Sequence, residues 1–110
     1  MANEFKLYAT GLADTAEATL VTAAAASTFI VGSIIISNVS GAAQTIDLTI
    51  TDSSAATDFK ILKTESFGAN ISKEILSRPL ILENGDSLKA QASAGAAFEL
   101  MVSYLDRTRG

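Results

Sequence analysis

Short segments in which apolar and polar residues alternate at period two restrict the fold of this chain most. In residues 45–51, Ile46, Leu48 and Ile50 face one way and the intervening polar residues face the other. Residues 98–105 repeat the alternation, although their second face is partly apolar. A helix would scatter both sets around its circumference. The pattern therefore predicts half-buried β-strands.

Further strand candidates follow at the spacing of about 8–12 residues that is typical of sandwiches and barrels. They cover residues 5–10, 18–23, 29–39, 58–62, 70–77, 79–82 and 87–92. We expect residues 83–86 (ENGD) to form the tight turn of a β-hairpin between the last two candidates, because Asn-Gly favours positive φ.

The chain has 110 residues, which is the size of one domain, since chains divide into separate domains only at larger sizes. We therefore predict an all-β fold, a single antiparallel β-sandwich or jelly-roll-like domain of about eight short strands. In this prediction the domain spans residues 1–110. Residues 1–17 form an N-terminal strand and loop, and residues 107–110 form a C-terminal tail.

A long uncharged stretch separates Glu17 from Asp47. Its most apolar part, residues 18–36, approaches the length of about 20 residues that a membrane-spanning helix needs. Interspersed Ser and Thr and the lack of flanking Lys, Arg, Trp or Tyr argue against a span. An early Glu and no basic segment before an apolar block argue against a signal peptide. We interpret the stretch as buried strands and as the place to look for a partner, with no membrane contact.

The residue types that carry most enzyme chemistry are absent. Without Cys or His the sequence contains no disulfide framework, no thiolate metal site and no Ser-His-Asp triad. Carboxylates remain, but they fall on predicted outward faces and turns. Eight Lys and Arg against twelve Asp and Glu give a net charge of −4, which disfavours nucleic-acid binding. We expect no enzymatic activity, no catalytic residues, no cofactor, no metal and no nucleic-acid partner.

Two local motifs leave alternatives open. Residues 52–58 could wrap a calcium ion with carboxylate and carbonyl oxygens, but they lack the spacing of an EF-hand loop, and a hairpin tip explains them equally well. Residues 38–40 (NVS) and 70–72 (NIS) match the glycosylation acceptor pattern. Because no secretory signal is expected, a turn is the better interpretation of the first.

Three segments, residues 34–41 (IIISNVSG), 79–94 (PLILENGDSLKAQASA) and 102–106 (VSYLD), occur in an order that resembles a group of small β-sandwich virion proteins of tailed bacteriophages, of the cyanophage type. The resemblance extends from about residue 18 to residue 106. Residues 23–26 depart from it, because an alanine run stands where such proteins often have a Pro-Ala-Gly turn.

The resemblance implies a non-enzymatic virion protein that is assembled in the host cytoplasm. We expect a capsid decoration (cement) subunit or a neck or tail accessory, bound to major capsid, connector or tail proteins and itself a homo-oligomer. A receptor- or glycan-binding module of a phage fibre is the alternative. The interface candidates come from the uncharged stretch, the last strand and the tail: Phe29, Ile30, Val31, Ile34, Ile36, Met101, Leu105, Arg107 and Arg109.

Overall fold

Two antiparallel β-sheets pack face to face in the structure, a computed structural model that describes residues 2–108. The described residues form nine strands: β1 (Ala2–Gly11), β2 (Ala18–Thr22), β3 (Ser27–Asn38), β4 (Gln44–Asp52), β5 (Thr57–Phe67), β6 (Ser72–Glu74), β7 (Leu80–Leu82), β8 (Ser87–Ala92) and β9 (Phe98–Thr108). Within the described residues no helix is long and apolar enough to cross a membrane. The predicted all-β sandwich is confirmed.

The strand order is that of a jelly roll. The first sheet runs β1-β9-β3, and both β6 and β7 pair with the free side of β3. The second sheet runs β2-β8-β4-β5. When β6 and β7 are counted as one interrupted strand, β1 pairs with β9, β2 with β8, β3 with β6 and β7, and β4 with β5. This is a long hairpin wound over two sheets, as in jelly-roll folds.

The core lies between the sheets and is built mainly from alternate residues of β3, β4, β8 and β9. Ile34 and Ile36 on β3 are fully buried, as are Leu48 on β4 and Leu88 on β8. At one end Phe67 packs edge to face against Phe98, with 5.4 Å between the ring centroids. The uncharged stretch is therefore explained largely by packing, because it contains β2 and β3, whose alternate residues fill this core.

That packing corrects part of the interface prediction. The side chains of Phe29, Val31, Ile34 and Ile36 are buried between the sheets. In this fold they stabilise the domain and are out of reach of a partner, so we no longer assign them to an interface. The sequence could not separate interface residues from core residues here, because β3 has apolar residues on both faces. Only the position of the second sheet shows which face is buried.

A buried asparagine joins the two sheets. The Nδ2 of Asn38, at the end of β3, donates to the carbonyl oxygens of Ala42, Phe67 and Gly68 at 2.9–3.1 Å. Its Oδ1 accepts from the backbone N–H and the hydroxyl of Ser40. Asn38 is only 1% exposed, so it braces the turn and is shielded from a glycosylating enzyme.

The turn at residues 83–86 exists, but the predicted hairpin around it is wrong. The N–H of Asp86 donates to the carbonyl of Glu83 at 2.8 Å, and Gly85 has φ of 81°. The flanking strands nevertheless separate, because β7 pairs with β3 in the first sheet whereas β8 enters the second. Turn residues determine a local chain reversal. They do not determine whether the two strands pair with each other.

The last strand is longer than the sequence indicated. Arg107 and Thr108, which were assigned to a C-terminal tail, continue β9 and pair with residues of both β1 and β3. Two neighbouring strands satisfy the backbone hydrogen bonds here, so the strand extends beyond its apolar alternation. Arg109 and Gly110 lie outside the described residues.

Candidate functional site: the outer face of the first sheet

Large apolar side chains cover the side of the first sheet that points away from the core. The register of β1, β9, β3 and β7 places them on one face: Phe5, Leu7, Ile30, Ile81, Met101 and Leu105. We call this set the outer apolar face. Phe5 is 89% exposed, Leu7 64% and Ile81 46%. A contiguous apolar surface of this kind is characteristic of an interaction site.

The outer side of the second sheet is polar. The positions that point away from the core on β2, β8 and β4 are occupied by Thr19, Thr22, Thr45, Asp47, Thr49, Thr51, Ser87, Lys89 and Gln91. Several of these side chains form cross-strand hydrogen bonds, such as that between the hydroxyls of Thr22 and Ser87 at 3.0 Å. The two sheets thus share one core but present opposite polarities to the outside.

A shallow groove of about 250 Å³ crosses the outer apolar face. Phe5, Ile30 and Leu105 line it, and Gly32 forms part of its floor. Gly32 is the extra residue of a β-bulge between Val31 and Ser33. The space where its side chain would lie is open, with no atom of a non-neighbouring residue within 4 Å.

A carboxylate holds β3 in place directly after this bulge. Glu74 on β6 accepts hydrogen bonds from the Ser33 hydroxyl and from the N–H of Ile34, the latter at 2.9 Å. Burial raises the pKa of Glu74, but the hydrogen bonds outweigh burial and hold the pKa below its ordinary value. Glu74 is therefore explained as a structural brace for the bulged strand.

Strand β1 reverses the usual orientation of a sandwich strand. Phe5 and Leu7 point outward, whereas Glu4 and Lys6 lie on the side that carries the core-facing residues of β9. The Nζ of Lys6 is 3.1 Å from Oδ2 of Asp106 on β9. The hydrogen bond and the charge of Asp106 raise the pKa of Lys6, and the nearby Glu4 adds to the effect. Glu4 and Lys6 nevertheless remain exposed, so in this part of β1 all four side chains face solvent and Phe5 and Leu7 add to the outer surface.

On the second sheet a carboxylate fixes the irregular strand β5. Oδ1 of Asp47 accepts the backbone N–H of Thr64 at 2.6 Å, and Oδ2 is 3.1 Å from Nζ of Lys60. Thr64 has φ of 50° and lies where the pairing of β4 with β5 shifts register. The Thr64 hydrogen bond is the largest cause that lowers the pKa of Asp47. This charge is thus used to hold the backbone.

A second depression, of about 300 Å³, is polar and lies beside the turn at residues 83–86. Of its two acidic residues, Glu83 and Asp86, the carboxylate of Asp86 is already engaged, because Oδ1 accepts the N–H of Ser53 at 2.9 Å and Oδ2 accepts that of Glu83 at 3.0 Å. The Asp52 carboxylate likewise accepts hydrogen bonds from Ser54 and Ala55 within its own turn. Residues 2–108 contain no group of three or more acidic residues placed to hold a metal ion. The hairpin-tip interpretation of residues 52–58 accounts for these contacts.

The structure brings four of the predicted interface residues to the outer side of the first sheet. Ile30, Met101 and Leu105 belong to the outer apolar face, and Arg107 lies at its end on β9. Arg109 is outside the described residues.

The sequence did not identify Phe5, Leu7 and Ile81 as surface residues. Phe5 and Leu7 do alternate with Glu4 and Lys6. That alternation signals a two-faced strand, but it does not tell which face is covered. Phe59 on β5, in the second sheet, is also exposed, at 52%.

Comparison with known proteins shows general similarity of fold only. No protein-family model matches the chain, and no curated protein sequence matches it. It is similar to a chain in the structure of infectious bursal disease virus Gx strain, with 13% identity and a TM-score of 0.48, over 96% of this chain and 38% of that one. It is also similar to the Clostridium thermocellum xylanase 10B structure containing CBM22-1 and GH10 modules with xylohexaose, with 10% identity and a TM-score of 0.43, over 96% and 25% of the two chains. This chain spans well under half the length of either, and values this low support no functional inference.

Proposed function

We propose that the protein is a non-enzymatic structural subunit of a bacteriophage particle, a capsid decoration (cement) subunit or a neck or tail accessory. In this proposal it binds neighbouring virion proteins through the outer apolar face and holds them together. The observation that carries the proposal is the contrast between this face and the polar outer side of the second sheet. The resemblance of residues 18–106 to small phage virion proteins supplies the biological setting.

The physical mechanism is burial of apolar surface. Full burial of one large apolar side chain contributes about 1.5–3 kcal/mol, whereas association costs roughly 4–15 kcal/mol in lost freedom of motion. Several side chains must therefore be buried together. The outer apolar face offers them on adjacent strands of a rigid sheet, where Phe5, Leu105 and Ile30 lie side by side across β1, β9 and β3.

Glycan or receptor binding is a weaker alternative. Sugar sites use exposed aromatic rings as flat platforms. Among the described residues the two exposed phenylalanines, Phe5 and Phe59, lie on edge strands of different sheets. Tyr104 is half-buried and packs on Phe29, with 4.6 Å between the ring centroids. Binding to host-surface polysaccharides on an array, with loss of binding in Phe5→Ala, would favour this alternative.

Mass spectrometry of purified particles is the first test, and absence of the chain from the particles would contradict the proposal.

The second test uses particles assembled without the chain, to which labelled protein is added before sedimentation. We expect the wild type to sediment with the particles and Met101→Glu to remain in solution, because the variant places a charge in the outer apolar face. Gln91→Glu is the matched control, since Gln91 is exposed on a central strand of the second sheet. Equal loss in both variants would show that this face is not the binding surface.

A further inference from the structure

The edges of the two sheets differ in how well they are protected against pairing with another strand. Native sheets protect their edges with short strands, bulges, proline and charges. β2 has five residues and a register shift, and β6 and β7 have three residues each with Pro79 between them. β5 pairs irregularly and carries Lys60 and Lys63.

β1 lacks most of these protections. It is ten residues long and pairs with β9 without any register shift. The N–H of Leu12, just after β1, donates to the carbonyl of Phe98 at 3.0 Å. Because hydrogen-bond direction alternates along an antiparallel strand, Phe5, Leu7 and Ala9 direct their backbone N–H and C=O groups away from β9. The two most exposed large apolar side chains of the described residues, Phe5 and Leu7, are on this same strand.

We propose that β1 pairs antiparallel with β1 of a second copy of this chain, about a two-fold axis that passes through Phe5. In this register Phe5 lies opposite Phe5 of the second copy and Asn3 lies opposite Leu7. Since Phe5 has outward-directed backbone groups, the pairing forms about six backbone hydrogen bonds between the copies. The two outer apolar faces become one continuous surface.

The charges on β1 select this register. With the axis at Phe5, each Glu4 lies opposite Lys6 of the second copy, and the attractive pair occurs twice. An axis at Lys6 would place two lysines opposite each other, which is unfavourable. An axis at Leu7 would place Lys6 opposite Tyr8 and leave Glu4 opposite Thr10, without a charge pair. A symmetric contact of this kind closes as a dimer.

Cysteine cross-linking tests the arrangement directly, because the wild-type chain has no Cys. In the proposed register the two Phe5 Cα atoms lie about 5.5 Å apart, within disulfide range, whereas the two Leu7 Cα atoms are separated by about 13 Å. Under mild oxidation Phe5→Cys should run as a dimer on a non-reducing gel. Leu7→Cys, an exposed control position on the same strand, should remain monomeric, as should Ser103→Cys and Phe59→Cys.

Each other outcome overturns the proposal. Cross-linking of Leu7→Cys in place of Phe5→Cys would contradict the register, cross-linking of Ser103→Cys would show face-to-face stacking, and cross-linking of Phe59→Cys would show pairing through β5. The wild type should sediment as a dimer at equilibrium. A monomer across micromolar to millimolar concentrations would also refute the proposal. Since these measurements use the isolated protein, their failure leaves particle binding, the proposed function, unaffected.

Charge exchange provides an independent test. Glu4→Lys converts both attractive pairs into repulsive ones and should weaken the dimer by about tenfold. An equimolar mixture of Glu4→Lys with Lys6→Glu should restore affinity, because the mixed dimer again has two opposite-charge pairs. Circular dichroism checks that Lys6→Glu folds beside Asp106; if it does not, Glu4→Gln should fall between the wild type and Glu4→Lys. Equal affinity of Glu4→Lys and the wild type would refute the charge-selected register.

Discussion

The outer sides of the two sheets differ in what their side chains do for the fold. On the second sheet, polar residues bind one another and the backbone, as Asp47 does with Thr64 and Lys60. On the first sheet, Met101, Leu105 and Phe5 point away from the core, and Phe5 and Met101 are exposed. The polar side chains of the second sheet therefore contribute to the stability of the folded chain. The apolar side chains of the first sheet would lose their contact with water only if another surface covered them.

Apolar residues thus have two roles in this chain: some fill the core and others form the outer side of the first sheet. Ile34 and Ile35 are neighbours in sequence, but Ile34 is fully buried and Ile35 lies on the outer side beside Met101. Replacing the first opens a cavity in the core, while replacing the second changes mainly the surface. Stability measurements and association measurements should thus respond to different sets of residues.

The largest effect is expected where the two sheets are joined. Asn38→Ala removes the donor to three carbonyl groups of the connecting loops and should lower the free energy of unfolding by about 3 kcal/mol, because buried acceptors lose their partner. Chemical denaturation measures the change. Asn3→Ala, at an exposed position, is the control and should change stability by less than about 0.5 kcal/mol. Similar values for both variants would show that Asn38 does not brace the sheets.

Asp47→Ala should have the next largest effect, a loss of about 1 kcal/mol, because the Thr64 N–H and Lys60 lose their partner at a partly solvated site. Asp58→Ala serves as the control. Asp58 lies on the neighbouring strand and accepts a hydrogen bond from the Thr51 hydroxyl, so its removal should be closer to neutral. If the two losses are equal, Asp47 does not have a special role in fixing β5.

Acid should weaken the polar side of the second sheet, and also the Glu74 brace on the first sheet. The pKa of Asp47 is lowered chiefly by the Thr64 hydrogen bond, and that of Asp52 chiefly by the Ser54 hydroxyl. A carboxylate whose pKa is lower in the folded state contributes stability above its unfolded pKa of about 4, and that contribution is lost as pH falls through the folded pKa. The free energy of unfolding should stay level from about pH 7 to 5 and then decline. The difference between the wild type and Asp47→Asn should shrink during the decline; a constant difference would contradict this assignment.

The smallest change in stability is expected on the outer apolar face. Met101→Ser should alter the free energy of unfolding by less than about 0.5 kcal/mol, since the side chain is exposed. The same variant should bind less of a hydrophobic dye such as ANS and elute earlier from a hydrophobic-interaction column. A stability loss above about 2 kcal/mol would mean that Met101 belongs to the packed interior.

The sequence predicted the positions of the strands better than it predicted which strands pair with each other. Period-two alternation identified β4 and β9 because both strands have one face in the core. It also gave the jelly-roll class, through the number and spacing of short strands. It could not show that the turn at residues 83–86 passes from one sheet to the other, because local φ preferences contain no information on distant pairing.

The residues of the outer apolar face could be predicted only in part, because the sequence does not show which side of a strand the second sheet covers. Of the interface candidates, Ile30, Met101 and Leu105 lie on the outer side of the first sheet, whereas Phe29 and Val31 on β3 are buried. Alternation defines two faces of a strand, and only the position of the second sheet tells them apart. Phe5 and Leu7 were missed because an exposed apolar face and a buried one produce the same pattern.

The position of β9 has a consequence for how this protein is made. β9 lies between β1 and β3 in the first sheet, and β8 lies between β2 and β4 in the second. On the ribosome, residues 1–86 emerge without either of these central strands, and pairs such as Phe5 with Leu105 join distant parts of the chain. Neither sheet can close until residues 87–108 have been synthesised, and pairing between residues so far apart in sequence makes folding slow for a domain of this size. Until then the earlier strands lack their central partners, and unpaired strand edges and exposed apolar surface favour aggregation.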